Sequence, residues 1–112
     1  MQEDSVNLGE IASAAGRAGV VWALQGSNEL NANLVCFGVG GGVGEHSNEE
    51  VDVIFVGVSG SGSVGVEGAE LPLSSGTMVF VPRGARRSVQ SASEDFAYLS
   101  VHRRRGPLQI GG

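Results

Sequence analysis

Apolar and β-branched residues gather in short runs along most of the 112-residue chain, each closed by Gly, Ser, Asn or Pro. VVWALQ (20–25) and LNANLVCFGV (30–39) read as strands joined by the turn GSNE. Further strand signals follow at VDVIFVGV, SVGVEG, AELPL, TMVFVP, ARRSVQ and FAYLSVHR, separated by SGSG, EGAE, SSG, PRG and SASED. Short strands at regular spacing, with no internal repeat, predict an all-β sandwich or barrel of antiparallel strands. One helical signal precedes them, about Leu8 to Ala18, with Ile11 and Ala15 four apart and Gly16 interrupting; it predicts a short helix or an arm. The glycine run Gly40–Gly44 reads as a loop. The organisation expected is a single domain over 1–112: an arm at 1–19, a barrel at 20–103 and a tail at 104–112.

Composition supports this reading and removes several function classes. Nineteen glycines and 5% aromatics favour strands and turns over helices. No window approaches the ~20 apolar residues of a membrane span. The first residues, MQEDSVN, are acidic where a leader would be basic and then apolar. The expectation is a cytoplasmic protein without a membrane partner. Residues 1–70 hold ten acids and one arginine, net −9, and residues 71–112 hold two acids and six arginines, net +4, which together give the overall −5. That asymmetry in a small domain predicts a homodimer.

The chain contains no lysine. A Walker-type phosphate loop and any Schiff-base mechanism are thereby excluded. The dinucleotide fingerprint G-x-G-x-x-G fails as well, since the sixth residue is Val43 counted from Gly38 and Glu45 counted from Gly40. Arg103-Arg104-Arg105 is a short basic triplet without interleaved aromatics, which reads as a solvated or interface patch, and no nucleic-acid partner is expected. The single Cys36, inside LVCFGV, reads as a small buried hydrophobe.

Two segments carry a family resemblance. Gly76-Thr-Met-Val-Phe-Val-Pro82-Arg-Gly84 resembles the second cupin signature, glycine, five residues, proline, any residue, glycine, and Gly40 to His46 matches the opening of the first. The resemblance covers about residues 30–102 and implies a cupin-type double-stranded β-helix, a jelly-roll barrel. YLSVHRRRGPLQI and HSNEEVD are similar to small single-domain bacterial cupins, a group for which the likeness implies a fold but no particular activity.

The resemblance also implies where a metal would bind: two histidines at H-x-H, a glutamate four residues on, and a last histidine three residues past the P-x-G glycine. This chain carries His46, Asn48, Asp52 and Arg87 there, and an extra residue before Gly60 allows a slip that puts Val53 at the acid position. Asn48 is a weak ligand and Arg87 offers donors only. No cofactor is therefore expected. If a divalent metal were held, its ligands would be His46, Asp52 and His102.

Strand alternation places His46, Asn48, Glu50 and Asp52 on one face, continued by Ile54 and Val56. If that face is interior, the carboxylates need a partner, and Arg87 is a bidentate one. The residues leave an internal salt-bridged network and a ligand pocket both open. For the pocket, His46, Asn48, Glu50, Asp52 and Arg87 are the candidate ligand-binding residues, with Tyr98, Ser100 and His102 on one face of the last strand as an extension. Three functions follow: a cupin that binds a small polar or anionic molecule through a degenerate metal site; a metal-free isomerase or epimerase acting on a sugar or carbonyl compound; and a metal-dependent dioxygenase or isomerase. In the second, His46 is the base, Asp52 or Glu50 orients it and Tyr98 is the acid.

Overall fold

The computed structural model describes residues 5–104, so residues 1–4 of the expected arm and residues 105–112 of the expected tail lie outside the described residues. One helix, α1 (Leu8–Ala14), leads into β1 (Gly19–Ala23), β2 (Leu30–Phe37), β3 (Gly42–His46), β4 (Val53–Ser59), β5 (Ser61–Val66), β6 (Ala69–Ser74), β7 (Met78–Val81), β8 (Arg87–Ser91) and β9 (Phe96–Arg103). They form two antiparallel sheets, in the orders β1-β2-β9-β4-β7 and β3-β8-β5-β6. This is the jelly-roll barrel that the resemblance implied.

The core lies between the sheets and follows the period-2 alternation of their strands. Val53 and Phe55 of β4, Val79 and Val81 of β7, and Phe96 and Tyr98 of β9 meet Val64, Leu73 and Val89 from the other sheet. Leu73, Val64 and Val81 are wholly buried. Each such side chain contributes on the order of 1.5–3 kcal/mol of transfer free energy. The aromatic residues pack as a unit around Tyr98, with Phe55 edge-on at 5.4 Å between ring centroids and Phe96 tilted at 5.4 Å.

Two sequence expectations are corrected here. The helix stops at Ala14 rather than Ala18, because the chain turns at Gly16, whose φ is +64°. Its start is set by Asn7, whose Oδ1 accepts the Glu10 N–H at 3.0 Å. The second correction concerns the glycine run, half of which is strand: Gly42–His46 is β3, paired with β8. A Cβ on Gly42 would lie 2.0 Å from the Val89 carbonyl oxygen, so glycine there permits close backbone approach.

The Pro82–Gly84 turn anchors the segment between β3 and β4. Gly84 has φ +85°, a conformation that glycine adopts at no steric cost. Its N–H donates to the Asn48 carbonyl at 2.7 Å, and the Arg83 N–H donates to Asp52 Oδ1 at 2.8 Å. These two bonds hold residues 48–52 against one end of the barrel.

Candidate functional site

A cavity of about 190 Å³ opens between the two sheets. From the five-stranded sheet it is lined by Val20, Asn33, Val35, Val53, Phe55, Tyr98, Ser100 and His102. Val43, His46, Arg87 and Val89 line it from the four-stranded sheet, and Asn48 from the connection between β3 and β4. Strand register sets the rows: Ser100 lies between Asn33 and Phe55, Tyr98 beside Val35, His46 opposite Arg87, and Val43 opposite Val89. Among the described lining residues there is no carboxylate.

The expected common face of residues 46–56 does not form. Glu50, Asp52 and Ile54 are exposed, whereas Val51, Val53 and Phe55 are buried. The reason is geometric: residues 47–52 are not strand, and the chain bends at Glu49 and Glu50 as it passes from one sheet to the other. Alternation does not carry across a bend, so the parity restarts at β4. Val53 therefore takes the inward position, as the one-residue slip allowed. Asp52 instead accepts from the Pro82–Gly84 turn, and the Glu50 carbonyl accepts from Arg103 Nη2 at 3.0 Å. Both carboxylates thus stand at the surface beside these partners, and neither lines the cavity with Arg87.

Asn48 is half-buried and held at two points. Besides its carbonyl bond to Gly84, its Oδ1 accepts the Glu50 N–H at 2.8 Å. That bond settles which end of the amide is which, and the donor end, Nδ2, is buried with no acceptor among the described residues. A buried amide donor without a partner costs roughly 1–3 kcal/mol. Arg87 is 3% exposed, and its Nε donates to the Ala85 carbonyl at 3.1 Å.

Both histidines are oriented by main-chain carbonyls. His46 Nδ1 donates to the Gly44 oxygen at 2.9 Å and His102 Nδ1 to the Arg103 oxygen at 2.8 Å. A carbonyl can only accept, so each neutral ring carries its proton on Nδ1 and leaves Nε2 as an acceptor. The carboxylate expected to orient His46 is replaced by Gly44. Tyr98 is 3% exposed, and burial pushes its phenol up to about 12, which keeps it a protonated donor across the physiological range.

The residues do not fit a transition metal. No group of three His, Cys, Asp or Glu side chains is suitably clustered among the described residues, so His46, Asp52 and His102 do not converge. The four family positions hold an imidazole, an amide, the Val53 alkyl group and the Arg87 guanidinium, of which only the first is a strong ligand.

Asn33 and the valine wall were missed by sequence reasoning. The available signal was alternation in LNANLV, where Asn33 shares parity with Val35. A larger cleft, about 370 Å³, lies between α1 and the barrel end, bordered by Arg17, Cys36, Glu94 and Asp95. Its charged groups are exposed and of mixed sign, and burial pushes the Cys36 thiol up, with Arg17 opposing. The smaller cavity is the better candidate, because buried polar groups line it.

Residues 33–102 match the family model described as Cupin domain, and the chain belongs to the cupin family. Among solved structures it is similar to KdgF from Halomonas sp., at 24% identity and TM-score 0.70, covering 76% of this chain and 78% of that one. A Bacillus halodurans protein aligns at 18% identity and TM-score 0.79 over 95% and 85% of the two chains. An uncharacterized conserved protein with a double-stranded β-helix domain from Klebsiella pneumoniae aligns at 14% identity and TM-score 0.76, over 94% and 93%. At these identities the likeness is one of fold. A search of curated proteins finds no match.

Proposed function

We propose that the protein binds a small anionic or acceptor-bearing organic molecule inside the barrel. The observation that carries this reading is the Asn48 amide, whose orientation is fixed while its buried donor end has no acceptor among the described residues. Around it the lining offers the Arg87 guanidinium and the Tyr98 and Ser100 hydroxyls, and its described residues include no acid. A chain of net charge −5 thus lines this cavity with a cation and neutral donors. Excluding acids suits a negatively charged guest, since an ion moved out of water needs paired donors. Native-state NMR titration with small organic anions tests the reading: the Asn48 side-chain amide resonances are expected to move, and their indifference to every anion would refute it.

The isomerase reading draws on the protonated Tyr98 and on His46, but His46 has no carboxylate partner among the described residues. Simple binding is favoured.

We also propose that the protein is a homodimer joined through the outer face of the five-stranded sheet. Ile54, Met78 and Phe80 stand exposed there in adjacent register, and Leu30 and Val101 border the same groove. Asp52 and Arg103 line that groove too, and among the described residues they form no ion pair with each other, so a twofold mate can pair Asp52 with Arg103 in both directions. Light scattering is expected to give twice the chain mass, and Phe80→Glu to give a folded monomer. A monomeric native protein would refute the dimer.

A further inference from the structure

Resting on the binding reading above, we infer that the cavity selects a short-chain monocarboxylate, taken head to the polar row and tail to the apolar row. Size sets the first limit. An engineered cavity of about 150 Å³ accepts benzene, with its six non-hydrogen atoms, so a space of about 190 Å³ suits roughly six to eight.

Charge sets the second limit. Arg87 is the one arginine among the described lining residues, and its fork geometry matches a planar carboxylate. Asn48 Nδ2 and the Tyr98 and Ser100 hydroxyls add neutral donors, enough to solvate a single negative charge and few for a second. The apolar wall sets the third. Val20, Val35, Val43, Val53, Phe55 and Val89 also line the cavity, and the Val43–Val89 row lies next to the His46–Arg87 row along the same strands. An inorganic oxyanion or a polyhydroxylated sugar leaves this wall without contact. A carboxylate with an apolar body fills it.

The test is a titration of the native chain with sodium acetate, butyrate and hexanoate, with butyramide and inorganic phosphate as controls, followed by amide NMR and calorimetry. Affinity is expected to rise about three- to four-fold for each methylene added from acetate to butyrate. Hexanoate is expected to bind at least as well as butyrate, and butyramide at least ten-fold more weakly. The shifts should centre on the Asn48 side-chain amide and on Val53 and Phe55.

Phosphate binding more tightly than every carboxylate, or a flat dependence on chain length, would overturn this inference and leave the broader anion reading standing. Butyramide equal to butyrate would overturn the charge recognition and leave only the acceptor-bearing reading standing. No binding by any of the five probes would overturn both.

Discussion

Strand β9 brings Tyr98 and Ser100 to the barrel cavity and Val101 to the outer groove, with His102 bordering both. Neighbouring β4 does the opposite on its inner side, with Val53 and Phe55 buried, yet its outer face still carries Ile54 at 38% exposure. The inner face of this sheet is thus more polar than a packed core requires, and its outer face more apolar than a solvated surface requires. An exposed Leu or a buried Val says little about function, whereas a buried polar group and an exposed apolar row are informative. Inside, the polar groups sit around a cavity, and outside, an apolar row stands exposed.

The largest effect expected is structural. Gly42→Ala drives a Cβ into the Val89 carbonyl, so β3 must separate from β8 and carry His46 away from Arg87. A loss of about 3 kcal/mol or more in denaturant unfolding is expected. A loss below about 1 kcal/mol would show that the two strands are less tightly joined than their register implies.

Truncating one phenylalanine on each face tests the contrast directly. Phe55→Ala, at a side chain 7% exposed and in edge contact with Tyr98, is expected to cost about 3–5 kcal/mol. Phe80→Ala, at 51% exposure, is expected to cost about 1 kcal/mol or less in intrinsic stability, measured at a concentration where the protein is monomeric. Equal costs would erase the distinction between the faces.

Asn48→Asp keeps the acceptor used by Glu50 and replaces the orphan donor with a negative charge. Stability should change little, while butyrate affinity falls about 10-fold or more. Unchanged affinity would remove Asn48 from the site.

The smallest effect concerns alkaline pH. Tyr98 is pushed from the ordinary tyrosine value of about 10 to about 12 in the folded chain, because burial disfavours the phenolate. The folded state then holds the proton more tightly than the unfolded one. Its stabilising contribution is complete below pH ~10 and is lost as pH rises toward 12. Tyr98→Phe should flatten that part of the stability profile, and an unaltered profile would assign the loss to other groups.

Strand content, the antiparallel class and most strand positions were legible in the chain, because alternation and turn residues act over a few neighbours. GSNE does become a turn, with Ser27 Oγ accepting the N–H groups of Glu29 and Leu30. The segment Gly76–Gly84 carried the family, and residues 33–102 belong to it. The face shared by Tyr98, Ser100 and His102 was readable as a face, since one unbroken strand holds all three.

Which way such faces point was a tertiary matter. Asp52 and Val53 are neighbours, and their inward and outward roles were exchanged by a bend at Glu49 and Glu50 that no local pattern announced. The bend is anchored by Gly84 and Arg83, more than thirty residues away along the chain, through bonds to Asn48 and Asp52. β3 was hidden for a related reason: glycine has weak strand propensity, and Gly42 becomes strand because β8 passes too close for any side chain. Local sequence determined what each strand could bury. Only the packing of one sheet on the other decided that Asn48, Arg87 and Tyr98 would line one cavity while Glu50 and Asp52 remained at the surface.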